Sequence, residues 1–169
     1  MRERSSLALG AILATLALAG TLALAAGDRT PPIGAAVEEI AFTTLDGKQH
    51  SLAEATRGAK AVVFVFLSTQ CPVANAYTER LGDLARRYGP RGVRFFGVNS
   101  NFHESREEIA AHARERQFPF PIVVDEGSRL ADRLGARMTP EAVLLDAKRI
   151  LRYRGRIDDH TDPRRVRRH

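Results

Sequence analysis

Residues 61–67, AVVFVFL, are seven apolar side chains in a row. A short unbroken run rich in β-branched and aromatic residues predicts a central strand covered on both faces. The period then becomes helical. Tyr77, Leu81, Leu84 and Tyr88 fall at i, i+4, i+7 and i+11, with Glu79, Arg80, Asp83, Arg86 and Arg87 on the remaining faces. Gly89-Pro90 stops that helix. VRFFGVNSN, residues 93–101, predicts the next strand and its loop. Ser105 and Glu108 have capping-box spacing, which starts a helix to about Arg116 with Ile109, Ala110 and Ala113 inward. Residues 118–125 predict a short strand, and 128–135 a short helix with Leu130 and Leu134 inward.

In ARMTPEAVLLD, Pro140 has no N–H to donate and pushes Thr139 toward extended geometry. A turn at 146–149 leads into ILRYRGRI. There Ile150, Arg152, Arg154 and Arg156 alternate with Leu151, Tyr153, Gly155 and Ile157, the pattern of a strand with a solvated arginine face. Upstream, residues 38–52 predict a hairpin turning at Asp46-Gly47, with His50 exposed. Residues 27–36, with two prolines and two glycines, predict a linker. Strands alternating with helices and closing in a hairpin give an α/β class with a mixed sheet.

Composition changes this picture at the two ends. The first 26 residues begin with Arg2 and Arg4 and continue, from Leu7 to Ala26, without a charge. Ala23-Leu24-Ala25 has the small-residue spacing of a cleavage site, so a secretory signal peptide is expected. A retained membrane anchor is the alternative, because about 20 apolar residues span a bilayer. No cysteine follows the run closely, which excludes lipoprotein attachment. The net charge of +6 is concentrated from Leu151 onward, where seven arginines stand against three aspartates. Such a tail attracts anions, but export argues against nucleic acid. Residues 160–169 are expected to be a basic tail, and 37–159 one domain. His103 and His112 have no Cys or His at ligand spacing, so neither a metal nor another cofactor is expected.

The chain has one cysteine, Cys71, at the junction of the 61–67 strand and the helix. A thiol there meets the positive end of the helix dipole and unpaired N–H groups, which favour the nucleophilic thiolate. Pro72 suits the first helical turn. In an oxidising compartment a lone thiol forms no internal disulfide, so it is either inert or reactive toward other molecules. Strand, Cys-Pro at a helix start, and a distant Thr-Pro before another strand resemble the thioredoxin superfamily. The nearest branch is the redoxins, the alkyl hydroperoxide reductase (AhpC/TSA) and peroxiredoxin-like proteins. The resemblance covers about residues 36–159. It implies a thioredoxin-like fold: a mixed central sheet flanked by helices, with an N-terminal hairpin.

The resemblance also implies roles. Cys71 takes the place of the nucleophile and Ala74 that of a thioredoxin's resolving cysteine. Thr139 and Pro140 take the place of the cis-proline loop. The peroxidase pattern P-x-x-x-[TS]-x-x-C puts Ser68 at the hydroxyl position and Phe64 where the proline belongs; Val65 replaces the acid thioredoxins bury. Arg137 is the candidate for stabilising the thiolate. Thr69, Gln70, Pro72, Thr139 and Pro140 would line the substrate groove. A dithiol reaction needs two thiols, so the implied chemistry is one-cysteine peroxide reduction or exchange with an external thiol. The implied partners are an external thiol reductant or thioredoxin-like protein, and a peroxide or protein disulfide as substrate. A non-catalytic binding module and, last, a copper-handling relative, which would need a cysteine at Asn75, are the other readings. Thioredoxin folds end in a helix, and DDHTDPRRVRRH has one apolar residue, Val166. The terminal helix is therefore expected to be absent, leaving apolar side chains near Phe95 or Val143 exposed.

Overall fold

A computed structural model describes residues 30–160 and Arg165. The expected linker up to residue 36 is described from Thr30 on; the signal segment, and the tail apart from His160 and Arg165, lie outside the described residues. Among the described residues, seven strands and five α-helices follow in the order β1 (Ala41–Thr43), β2 (Gln49–Ser51), α1 (Leu52–Thr56), β3 (Ala61–Phe66), α2 (Pro72–Ala76), α3 (Thr78–Tyr88), β4 (Val93–Asn99), α4 (Arg106–Arg116), β5 (Ile122–Val124), α5 (Arg129–Leu134), β6 (Glu141–Asp146) and β7 (Leu151–Gly155). β1 and β2 form the expected hairpin, antiparallel, with Phe42 opposite His50. The main sheet has the order β5-β4-β3-β6-β7. β3 is central, parallel to β4 and antiparallel to β6. This is the mixed sheet the alternating pattern called for.

The two faces of β3 explain its unbroken hydrophobicity. Val62, Phe64 and Phe66 join one core with Phe42, Leu52, Phe96, Leu130, Leu134, Val143 and Leu145, beneath the hairpin, α1 and α5. Val65 and Leu67 join a second with Ala74, Tyr77, Leu81, Ile109 and Phe120, beneath α2, α3 and α4. Successive strand residues point to opposite faces, so a strand buried on both sides has no polar positions to show. Phe42, Phe64 and Phe96 pack ring to ring, with centroids 5.3–5.6 Å apart.

Several local expectations are corrected. The helix after Cys71 is two segments meeting at Tyr77. The Thr78 hydroxyl takes the Asn75 carbonyl and Tyr77 N–H bonds the Ala74 carbonyl, which interrupts the i→i−4 ladder. The 118–125 strand shrinks to three residues because Pro119 and Pro121 cannot donate to a ladder. α1 was not anticipated, although Ser51 and Glu54 form a capping box at its start. His50 is half-buried, stacked on Phe42 at 5.5 Å. The expected linker lies along β7: Gly34 N–H bonds Leu151 O, and Leu151 N–H bonds Ala35 O. Arg154, expected in solvent, is half-buried and donates to the Pro31 and Leu134 carbonyls. Val143 is fully buried, and Phe95 is half-buried and stacked on Phe120, so the expected bare apolar face is not found at either residue. Whether a helix follows residue 160 lies outside the described residues.

Candidate functional site

The site sits where β3 ends. A parallel pair such as β3 and β4 sends its loops out at the same edge, and here both loops are fastened by side chains. Cys71 is the N-cap of α2, with extended backbone (φ −81°, ψ 110°). Its Sγ accepts the Ala74 N–H at 3.4 Å, using a hydrogen bond that a serine or aspartate usually makes at a cap. Pro72 occupies the first helical position, exposed. The sulfur is half-buried, and its S–H lies 3.5 Å from the Thr139 carbonyl oxygen.

That carbonyl belongs to the loop before β6. The Thr139-Pro140 peptide is cis. Glu141, 7% exposed, holds the loop: its Oε2 accepts the backbone N–H groups of Arg137 (2.7 Å) and Met138 (3.3 Å). Thus Cys71, Thr139 and Pro140, distant in sequence, are brought together. The Arg137 guanidinium donates to Thr30 Oγ1 at 3.3 Å and is exposed. Beside the loop lies a cavity of about 380 Å³ between the ends of β3 and β4 and α5, lined by Phe66, Leu67, Asn101, Asp132, Arg137 and Thr139 among others.

Ser68 does not offer its proton to the sulfur; its Oγ donates to Glu104 Oε1 at 2.5 Å and accepts the Gln70 N–H at 3.2 Å. Gln70 itself is exposed. Glu104 Oε2 accepts Thr69 N–H at 2.9 Å and Asn99 Nδ2 at 2.6 Å. Burial raises the proton affinity of this carboxyl, but the bonds from Ser68, Asn99 and Thr69 outweigh it and hold the pKa below the ordinary 4.5. The Thr69 carbonyl accepts from Asn75 Nδ2 at 2.9 Å, and Asn75 Oδ1 meets His112 Nε2 at 2.6 Å. Burial, then the charge of Arg116, lowers the His112 pKa below 6.5, so the ring is neutral at pH 7 and holds Asn75 as a neutral partner. Glu104, Asn99, Asn75, His112 and Glu141 escaped the sequence reading. A polar residue beside a buried loop looks like any solvated one until the tertiary fold shows its partner. The pair Asn99 and Glu104 after a predicted strand was the available signal.

Among the described residues no group of three or more His, Cys, Asp or Glu is placed to hold a metal ion. No helix among them is long and apolar enough to cross a membrane.

Comparison with known proteins places this geometry. A solved uncharacterized conserved protein from Geobacillus kaustophilus is 32% identical, with a TM-score of 0.71, over 78% of this chain and 72% of its own. A hypothetical protein from Sinorhizobium meliloti is 27% identical with the same TM-score, 0.71, over 79% and 75%. A secreted Mycobacterium tuberculosis disulfide oxidoreductase, homologous to Escherichia coli DsbE, shares the fold at 20% identity and a TM-score of 0.58, over 66% and 79%. The AhpC/TSA family model matches residues 33–154, the span that carries the sheet, Cys71 and the cis Thr139-Pro140 bond. The chain therefore belongs to the AhpC/TSA family, within the thioredoxin-like redox proteins.

Proposed function

We propose that this protein is a one-cysteine thiol oxidoreductase that exchanges disulfides through Cys71 with an external thiol. The observation that carries the reading is the half-buried Sγ, which accepts the Ala74 N–H at the start of α2 and lies 3.5 Å from the Thr139 carbonyl oxygen. Peroxide reduction is supported less. The Ser68 proton goes to Glu104 and the Arg137 guanidinium to Thr30, while Phe64 stands at the proline of the peroxidase pattern. In the proposed reaction the Cys71 thiolate attacks one sulfur of a substrate disulfide. A new S–S bond forms, the substrate S–S bond breaks, and one substrate thiolate leaves. An external thiolate then attacks the sulfur bound to Cys71, carrying off the substrate as a new disulfide and returning the Cys71 thiolate. The external thiol is required because the sequence has no second cysteine. The cavity lined by Thr139 is the seat proposed for the substrate; Thr69, Gln70, Pro72 and Pro140, the neighbours of Cys71 and Thr139 in the chain, are proposed to contact it.

The test compares the full chain with Cys71→Ser on a peptide disulfide with excess small thiol, and separately on hydrogen peroxide. Disulfide turnover that depends on Cys71, with peroxide consumed no faster than by a free thiol, is the expected result. Equal disulfide rates for the two proteins would sink the reading; fast Cys71-dependent peroxide consumption would replace it with a peroxidase. An exported location is proposed with it, on the charged and apolar run of residues 1–26.

A further inference from the structure

Glu104 is 8% exposed and belongs to no catalytic pattern that the sequence shows. An ionised carboxylate only accepts hydrogen bonds, so it fixes the direction of every bond around it. Ser68 has to donate, and its lone pair is then what the Gln70 N–H meets. Gln70 is the residue before Cys71. Thr69 N–H points at the same carboxylate, while its carbonyl is tied through Asn75 to α2, the helix that Cys71 caps. Asn99 donates through Nδ2, which leaves its Oδ1 to accept the Asn101 N–H at 3.0 Å, and Asn101 lines the cavity. One anion thus orients the loop that carries the thiol and the rim of the cavity beside it.

We propose that Glu104 is a positioning residue for Cys71, acting through Ser68: by accepting the hydrogen bond of the Ser68 hydroxyl it locks residues 68–70 and so sets the sulfur against Thr139. The proposal rests on Cys71 being the reacting thiol of the function proposed above. An alanine at position 104 would leave the Ser68 hydroxyl, the Thr69 N–H and Asn99 Nδ2 without their common acceptor, and the lock would open. A carboxylate that only filled space would have no such link to Ser68.

The experiment is a double-mutant cycle on the full chain, with Glu104→Ala, Ser68→Ala and the pair. The rate of Cys71 alkylation by iodoacetamide is the readout, because it needs no knowledge of the substrate. Each single change is expected to slow alkylation about tenfold, the scale of one charge-assisted hydrogen bond. The pair is expected to be no slower than either single variant. Effects that multiply in the pair would show two independent disturbances and overturn the proposal, as would a Glu104→Ala rate within about twofold of wild type. Should Glu104→Ala not fold, Ser68→Ala alone decides: a wild-type rate there overturns the proposal. A confirmed cycle without disulfide or peroxide turnover would reject the proposed reaction and keep the positioning role.

Discussion

Gly97 lies within β4, and its missing side chain is used by its neighbours. A Cβ there would stand 2.5 Å from Ile122 Cδ1, 3.2 Å from Phe120 Cε2 and 3.3 Å from Leu67 Cδ1. Glycine weakens a strand, so its place here reflects the close approach of these side chains. Gly97→Ala should destabilise the protein by about 1–3 kcal/mol through overpacking. The check is a urea titration, with a lower midpoint at unchanged slope. An unchanged midpoint would mean that Ile122 swings aside without cost. Ser68 makes the complementary point at this scale. Its distance from Cys71 marks it as a site residue, yet its partner, 36 positions away, is visible only in the fold.

At the scale of the element, α4 and the loop before it act as a clamp on the thiol loop. The two titratable groups through which it holds that loop, Glu104 and His112, have lowered pKa values. His112 is depressed below 6.5 by burial and then by Arg116; Glu104, despite burial, is held below 4.5 by its hydrogen bonds. For His112 the unfolded chain binds more protons than the folded one between its lowered value and 6.5. Stability therefore falls as pH drops through that window. For Glu104 the contribution is present above 4.5 and is lost as pH falls toward its lowered folded value. Urea midpoints should be level from pH 8 to about 7, decline below 6.5 and decline further below 4.5. His112→Gln should remove the first decline and Glu104→Gln weaken the second, to which Asp46 and Asp146, carboxylates also held below their ordinary values by hydrogen bonds, contribute as pH falls further. Midpoints that stay constant from pH 8 to 4 would contradict both assignments.

At the scale of the whole molecule, the sheet has one core on each face, and β3 is shared between them. Residues 34–37 bond residues 149–151 at the start of β7, so the chain is tied to the domain a short way after the stretch expected to be removed on export. If residues 1–26 are a signal peptide, protein recovered from the cell envelope should begin near Gly27, as read by N-terminal sequencing. Recovery of the envelope-bound protein starting at Met1 would show a retained anchor.

Local signals were enough to place β3 by its apolar run, the β1–β2 hairpin by Asp46-Gly47 and α4 by its capping box, and with them the mixed α/β class. The place of Cys71 at a helix start was likewise legible, since a cap acts on its immediate neighbours; the role of Thr139 and Pro140 came from the family resemblance alone. The break at Tyr77, the use of residues 34–37 beside β7 and the covering of Val143 were decided by tertiary contacts. The hydrogen-bonded clamp of Glu104, Asn99, Asn75 and His112 was decided in the same way. A hydrogen bond between residues far apart in the chain leaves no periodic trace, and its direction depends on which group is buried beside it.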